Sequence, residues 1–134
     1  MTKIIEIEGV GESYAEKLIS AGISSVEALL EKGGSTAGRK KIEEQTGISH
    51  TLILRWVNHA DLFRIEGVAG EYAELLEASG VDSVPELAQR KAENLFAKMT
   101  EVNETKKLVR KLPAESQVAK WVAQAKQLPK IVTH

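Results

Sequence analysis

Apolar residues recur along this chain at helical rather than strand spacing. Tyr14, Ala15, Leu18 and Ile19 form one apolar face of a first helix, which follows a tight turn at Gly9-Val10-Gly11. Ala21-Gly22 marks its end, with glycine in the position that favours a left-handed residue. Ser25 is placed to cap a second helix, with Val26, Leu29 and Leu30 turned inward and Glu27 and Glu31 outward. A helix from Arg39 to Gln45, a turn at Thr46-Gly47-Ile48-Ser49, and a long helix from His50 to about Arg64 follow. The pattern then restarts at Gly67-Val68-Ala69, with Ser83 as a cap and Pro85 and Glu86 in the first turn behind it. The two ends, Lys3 to Ile7 and Lys130 to Thr133, are short and β-branched. They are read either as a two-stranded patch or as coil.

The restart is a repeat. Residues 7–32 align without gaps to residues 65–90, with 12 of 26 positions identical at an offset of 58. Each copy ends in a tryptophan helix, WVNHA at Trp56 to Ala60 and WVAQA at Trp121 to Ala125. There the offset is 65, so the second copy carries about seven extra residues in between. The predicted fold is all-α: two pseudo-symmetric repeats, residues 1–64 and 65–134, packed as one compact helical domain with a shared core. Tyr14, Tyr72, Trp56 and Trp121 fall at equivalent places on apolar helices and are read as core.

Composition narrows the function classes. The 134 residues contain no cysteine, so neither a disulfide framework nor a thiolate metal site can form. Apolar runs are far shorter than the ~20 residues a membrane helix needs. Residues 1–9 carry Glu6 and Glu8 and lack an apolar run followed by a cleavage site, so export and membrane anchoring are not expected and a cytoplasmic location is. His50, His59 and His134 do not form a metal-ligand set, and no nucleophile–base pair stands out. The expectation is a binding protein without metal or cofactor, not an enzyme. The net charge of −1 conceals a polarity along the chain. Residues 66–104 hold nine acidic and three basic residues, whereas 106–130 hold seven basic and one acidic. Either the two segments face each other or the basic one faces an acidic partner.

The string IEGVGESYAEKLISAGISSVEALL resembles helix-hairpin-helix modules of DNA-repair and recombination proteins. The whole chain, with both repeats and both tryptophan helices, resembles a bacterial family of tandem helix-hairpin-helix proteins known only as a domain of unknown function. In DNA-binding modules of that kind, hairpin amides at a helix N-terminus hold a phosphate, which suits the helix dipole and its unpaired N–H groups. The resemblance places that role on Gly9, Val10 and Gly11, and on Gly67, Val68 and Ala69. It also allows a monovalent cation at hairpin carbonyls. Glu8 and Glu66 stand where DNA-binding members often carry proline. Glu12, Glu16, Glu71 and Glu74 follow the hairpins, and Ala69 replaces a glycine unless Gly70 shifts the turn.

Two further strings bear on nucleic acid. KIEEQTGISHTLILRW resembles a helix-turn-helix unit that would present His50, Thr51, Leu54 and Arg55, but it also serves as the second hairpin of a paired module, which is the preferred reading. Lys106, Lys107, Arg110 and Lys111 lie at helical spacing and are read as one basic helix face, joined by Lys120, Lys126 and Lys130. Two functions follow. One is sequence-independent contact with nucleic-acid phosphates through the hairpins and this face. The other is a protein-interaction or scaffold module with purely structural hairpins.

Overall fold

The computed structural model describes residues 2–134, and among them the regular structure is helical. The chain divides into two compact units. The first comprises residues 2–61 with 131–134, and the second residues 62–130.

The first unit begins with a 3-10 turn, Ile4–Glu6, followed by α1 (Gly11–Ser20), α2 (Val26–Gly33), α3 (Thr36–Thr46) and α4 (His50–Leu62). Ile4, Ile7, Leu18, Ile23, Leu29, Ile53 and Trp56 are buried here. The Ser25 hydroxyl accepts from the Ala28 N–H at 3.0 Å and starts α2 as its sequence position predicts. Helix α3 begins earlier than the pattern suggests, because Ser35 caps it by accepting from the Gly38 N–H. The Cβ that Gly38 lacks would collide with the Lys32 carbonyl, so the close passage of α3 by the end of α2 requires glycine.

The second unit contains α5 (Gly70–Ala78), α6 (Val84–Ala88), α7 (Ala92–Lys106) and α8 (Glu115–Ala125). Its core gathers Ile65, Leu75, Leu76, Val81, Leu95, Met99, Val118 and Trp121. Helix α6 starts from Ser83, whose hydroxyl accepts from the Glu86 N–H, with proline in the first turn.

Hydrogen bonds recur at the offset of 58. The Ile7 N–H donates to Ile4 and the Ile65 N–H to Leu62; Val10 donates to Ile7, and Val68 to Ile65. Ile23 donates to Leu18 as Val81 does to Leu76. The Lys32 ammonium donates to the Gly22 carbonyl at 3.2 Å, and the Arg90 guanidinium to the Gly80 carbonyl at 2.8 Å. The tyrosine–tryptophan pairs match as well, with ring centroids 5.1 Å apart for Tyr14–Trp56 and 5.4 Å for Tyr72–Trp121.

The ends do not form the two-stranded patch. Lys3 bridges to Ser25, and the Val26 N–H donates to the Thr2 carbonyl, so the N-terminal segment runs beside the start of α2. The Thr2 N–H donates to the Glu27 carboxylate at 2.7 Å, and this bond holds that carboxyl below its ordinary pKa. The C-terminal segment instead runs past the end of α2, where the Thr133 N–H donates to the Gly34 carbonyl at 2.8 Å. Each segment finds its backbone partners at α2, so neither needs the other.

Arg39 holds the second of these segments. It is only 2% exposed, unlike its neighbours Lys40 and Lys41. Its Nη1 donates to the Gly33 and Gly34 carbonyls at 2.9 and 3.1 Å. Its Nη2 donates to the Thr36 hydroxyl at 3.1 Å and to the Thr133 carbonyl at 2.6 Å. Burial lowers its pKa, but a guanidinium remains protonated under ordinary conditions.

Candidate nucleic-acid interface

Both hairpins reach the surface at their glycines and turn their valines inward. Gly9, Gly11, Gly67 and Ala69 are exposed, whereas Val10 and Val68 are buried. Gly9 and Gly67 share the left-handed conformation, at φ 90° and 91°, which side chains rarely adopt. The next turn differs. Gly11 is left-handed at φ 64° and opens α1, whereas Ala69 is extended and α5 starts one residue later, at Gly70. An alanine cannot readily take the Gly11 angle, so the second hairpin shifts its helix start to the following glycine.

The basic segment departs from its predicted shape. Lys106, Lys107, Arg110 and Lys111 do not form one helix face: α7 ends at Lys106 and Lys107 turns left-handed at φ 50°. Asn103 causes the break by reaching past the helix end, accepting from the Val109 N–H at 3.0 Å and donating to its carbonyl at 3.1 Å. Val109 and Pro113 are buried, so the chain leaves the helix axis to bring them into the core. Lys106 therefore closes α7, and Lys107, Arg110 and Lys111 project from the loop that follows. All four are exposed, and none of their side chains forms a hydrogen bond or ion pair among the described residues. The Tyr72 hydroxyl, on α5, donates to the Lys111 carbonyl at 3.0 Å and fixes this loop to the helix that follows the second hairpin.

Between the second hairpin and α8 lies an open cleft of about 500 Å³. It is lined by Glu66, Gly67, Ser116, Gln117, Lys120, Trp121 and Gln124. Gln124 closes one end by accepting from the Glu66 N–H at 3.0 Å. None of the α8 residues in this cleft except Lys120 was legible as a surface contributor in the sequence, and Trp121 is read there as core.

The segment that resembles a helix-turn-helix folds as α3, a left-handed Gly47 at φ 73°, and α4. His50 and Thr51 are exposed, but Leu54 and Arg55 are half-buried, so the face it offers is short. Near the end of α4, His59 and Asp61 are fully buried, which sequence spacing did not signal. Among the described residues no three His, Asp or Glu side chains come together to hold a metal ion, and no helix is long and apolar enough to cross a membrane.

These features define an all-helical class: two compact helical units, each with a glycine turn set against a buried tryptophan. Within that class the chain belongs to the family described as a domain of unknown function, DUF4332, whose model matches residues 8–128. No curated protein and no solved structure matches the chain.

Proposed function

We propose that the protein is a non-enzymatic, cytoplasmic module that binds nucleic-acid phosphates without regard to base sequence, and that its two halves are helix-hairpin-helix repeats. Support for the repeats comes from hydrogen bonds that recur at one fixed offset across both halves. The observation that carries the binding reading is the group formed by Lys106 at the end of α7 and Lys107, Arg110 and Lys111 on the loop after it. Four exposed cations without side-chain partners stand tied, through Tyr72, to the helix behind the second hairpin. Among the described residues none of these four cations pairs with a carboxylate, which favours an outside acidic partner.

In this reading the hairpin backbone at Gly67 and Ala69 approaches one phosphate, the Val68 N–H being spent on the Ile65 carbonyl, while the loop cations meet its neighbours. The first hairpin, Gly9, Val10 and Gly11, offers similar backbone but lies among the exposed carboxylates of Glu8, Glu12 and Glu16. It contributes less.

The test is a duplex-binding titration across salt concentrations. Each phosphate neutralised contributes about −0.9 to the log–log slope, so five or six contacts predict a slope near −5. Lys107→Glu/Lys111→Glu should flatten that slope by about two. Absence of salt-dependent binding at ~50 mM would overturn the reading. The alternative is a protein-interaction module, favoured by the acidic borders of both hairpins, Glu8, Glu12 and Glu16 at the first and Glu66 and Glu71 at the second, and by Ile19, an apolar side chain 52% exposed on α1.

A further inference from the structure

Each tryptophan sets its indole nitrogen against the glycine of its own hairpin, and neither N–H has an acceptor among the described residues. Trp56 and Trp121 are 1% and 2% exposed. Trp56 Nε1 is sealed and unpartnered, and Trp121 Nε1 donates to nothing among the described residues. The two nitrogens lie 3.7 and 3.2 Å from the Cβ positions that Gly9 and Gly67 leave bare. A desolvated donor without an acceptor is costly, and Trp56 Nε1 is one; Trp121 Nε1, at the equivalent place, is not sealed in the same way and borders the cleft beside Gly67.

The two units answer differently. In the second unit the indole N–H faces the cleft beside Gly67, where Ser116, Gln117 and Lys120 add donors that no other group engages. Gln117 Nε2 also stands 3.5 Å from the missing Cβ of Gly67. Glu66 is the one carboxylate of the lining. In the first unit the offset of 65 sets Leu52 where the second has Gln117, so the matching place lacks that donor, although Arg55 stands where the second has Lys120.

We propose that the cleft of the second unit seats one nucleic-acid phosphodiester. Its oxygens accept from Trp121 Nε1–H, Gln117 Nε2 and Lys120 Nζ, and the bare α-carbon of Gly67 keeps the way open. A convergent set of N–H donors suits a small anion rich in acceptors. The first unit keeps the indole and a cation at the matching places, Trp56 and Arg55, but not the amide of Gln117. The inference rests on the nucleic-acid reading and adds to it a seat built from α8 side chains, separate from the loop cations.

Trp56→Phe leaves Trp121 as the only indole, so its emission reports on the cleft. Duplex DNA titrated at ~50 mM salt should change that emission, and tens of millimolar inorganic phosphate should reverse the change. In the same background Gln117→Leu and Lys120→Met should each weaken duplex binding about tenfold, while Glu66→Gln should tighten it several-fold. These three side chains are exposed or half-exposed, so unchanged helical circular dichroism is expected throughout. Duplex binding with unaltered Trp121 emission, or with full affinity in Gln117→Leu and Lys120→Met, would overturn the cleft and leave the loop reading standing. Absence of duplex binding by the unaltered protein would end both. An emission change with phosphate but none with duplex would overturn the phosphodiester as the occupant.

Discussion

Arg39 illustrates how one side chain sets the fate of a terminus. Its guanidinium answers three carbonyls and a hydroxyl in a place water does not reach. Arg39→Ala should cost about 3–5 kcal/mol, because the carbonyls lose their donors and a cavity remains. Urea denaturation measures that loss. Glu27 gives a pH-dependent counterpart. The Thr2 N–H holds its carboxyl below the ordinary value of 4.5, so the stabilisation is present above that value and lost as pH falls through the lower folded pKa. The stability gap between the unaltered protein and Glu27→Gln should therefore be present at neutral pH and close in strong acid. Neither role was legible in the sequence. Arg39 precedes two exposed lysines and looks like part of a basic run, and its burial depends on a carbonyl 94 residues away.

At the scale of helices, the pattern of apolar residues and caps anticipates most starts. Ser25 and Ser83 cap as expected, since a serine before an apolar periodic run has a local reason to sit there. Ser25→Ala and Ser83→Ala should each cost about 1 kcal/mol, seen as a lower denaturation midpoint. Gly38→Ala should cost more, about 1–3 kcal/mol, since its methyl group would force α3 away from the end of α2. The end of α7 escaped prediction because local spacing favours continuing the helix while Val109 and Pro113 are drawn into the core. Asn103, which bonds both backbone groups of Val109, is the local clue. The error matters for the candidate site, because cations on a loop can adjust to a phosphate spacing that a rigid face would dictate. The cleft was less legible still: Trp121 serves the core with its ring and the surface with one nitrogen, and periodicity reports only the ring.

Across the whole molecule, the chain divides into two compact units whose boundary is not a single cut. Residues 131–134 return to the first unit. Removing these four residues should therefore loosen the first unit selectively. Hydrogen exchange should quicken in α2 and α3, where Gly34 and Arg39 lose Thr133, while α7 and α8 keep their protection. The sequence hid this return because Ile131-Val132 reads like any short apolar tail.

That return decides how the molecule would carry a mechanical load. Thr2 is held near the start of α2 by Glu27, and Thr133 near its end by Gly34 and Arg39. A pull applied to both chain ends thus acts across the first unit, and the second sits in a closed loop of chain that feels no tension until those clasps give way. Stretched singly, the protein should yield in two ordered steps, with α5 to α8 extending last.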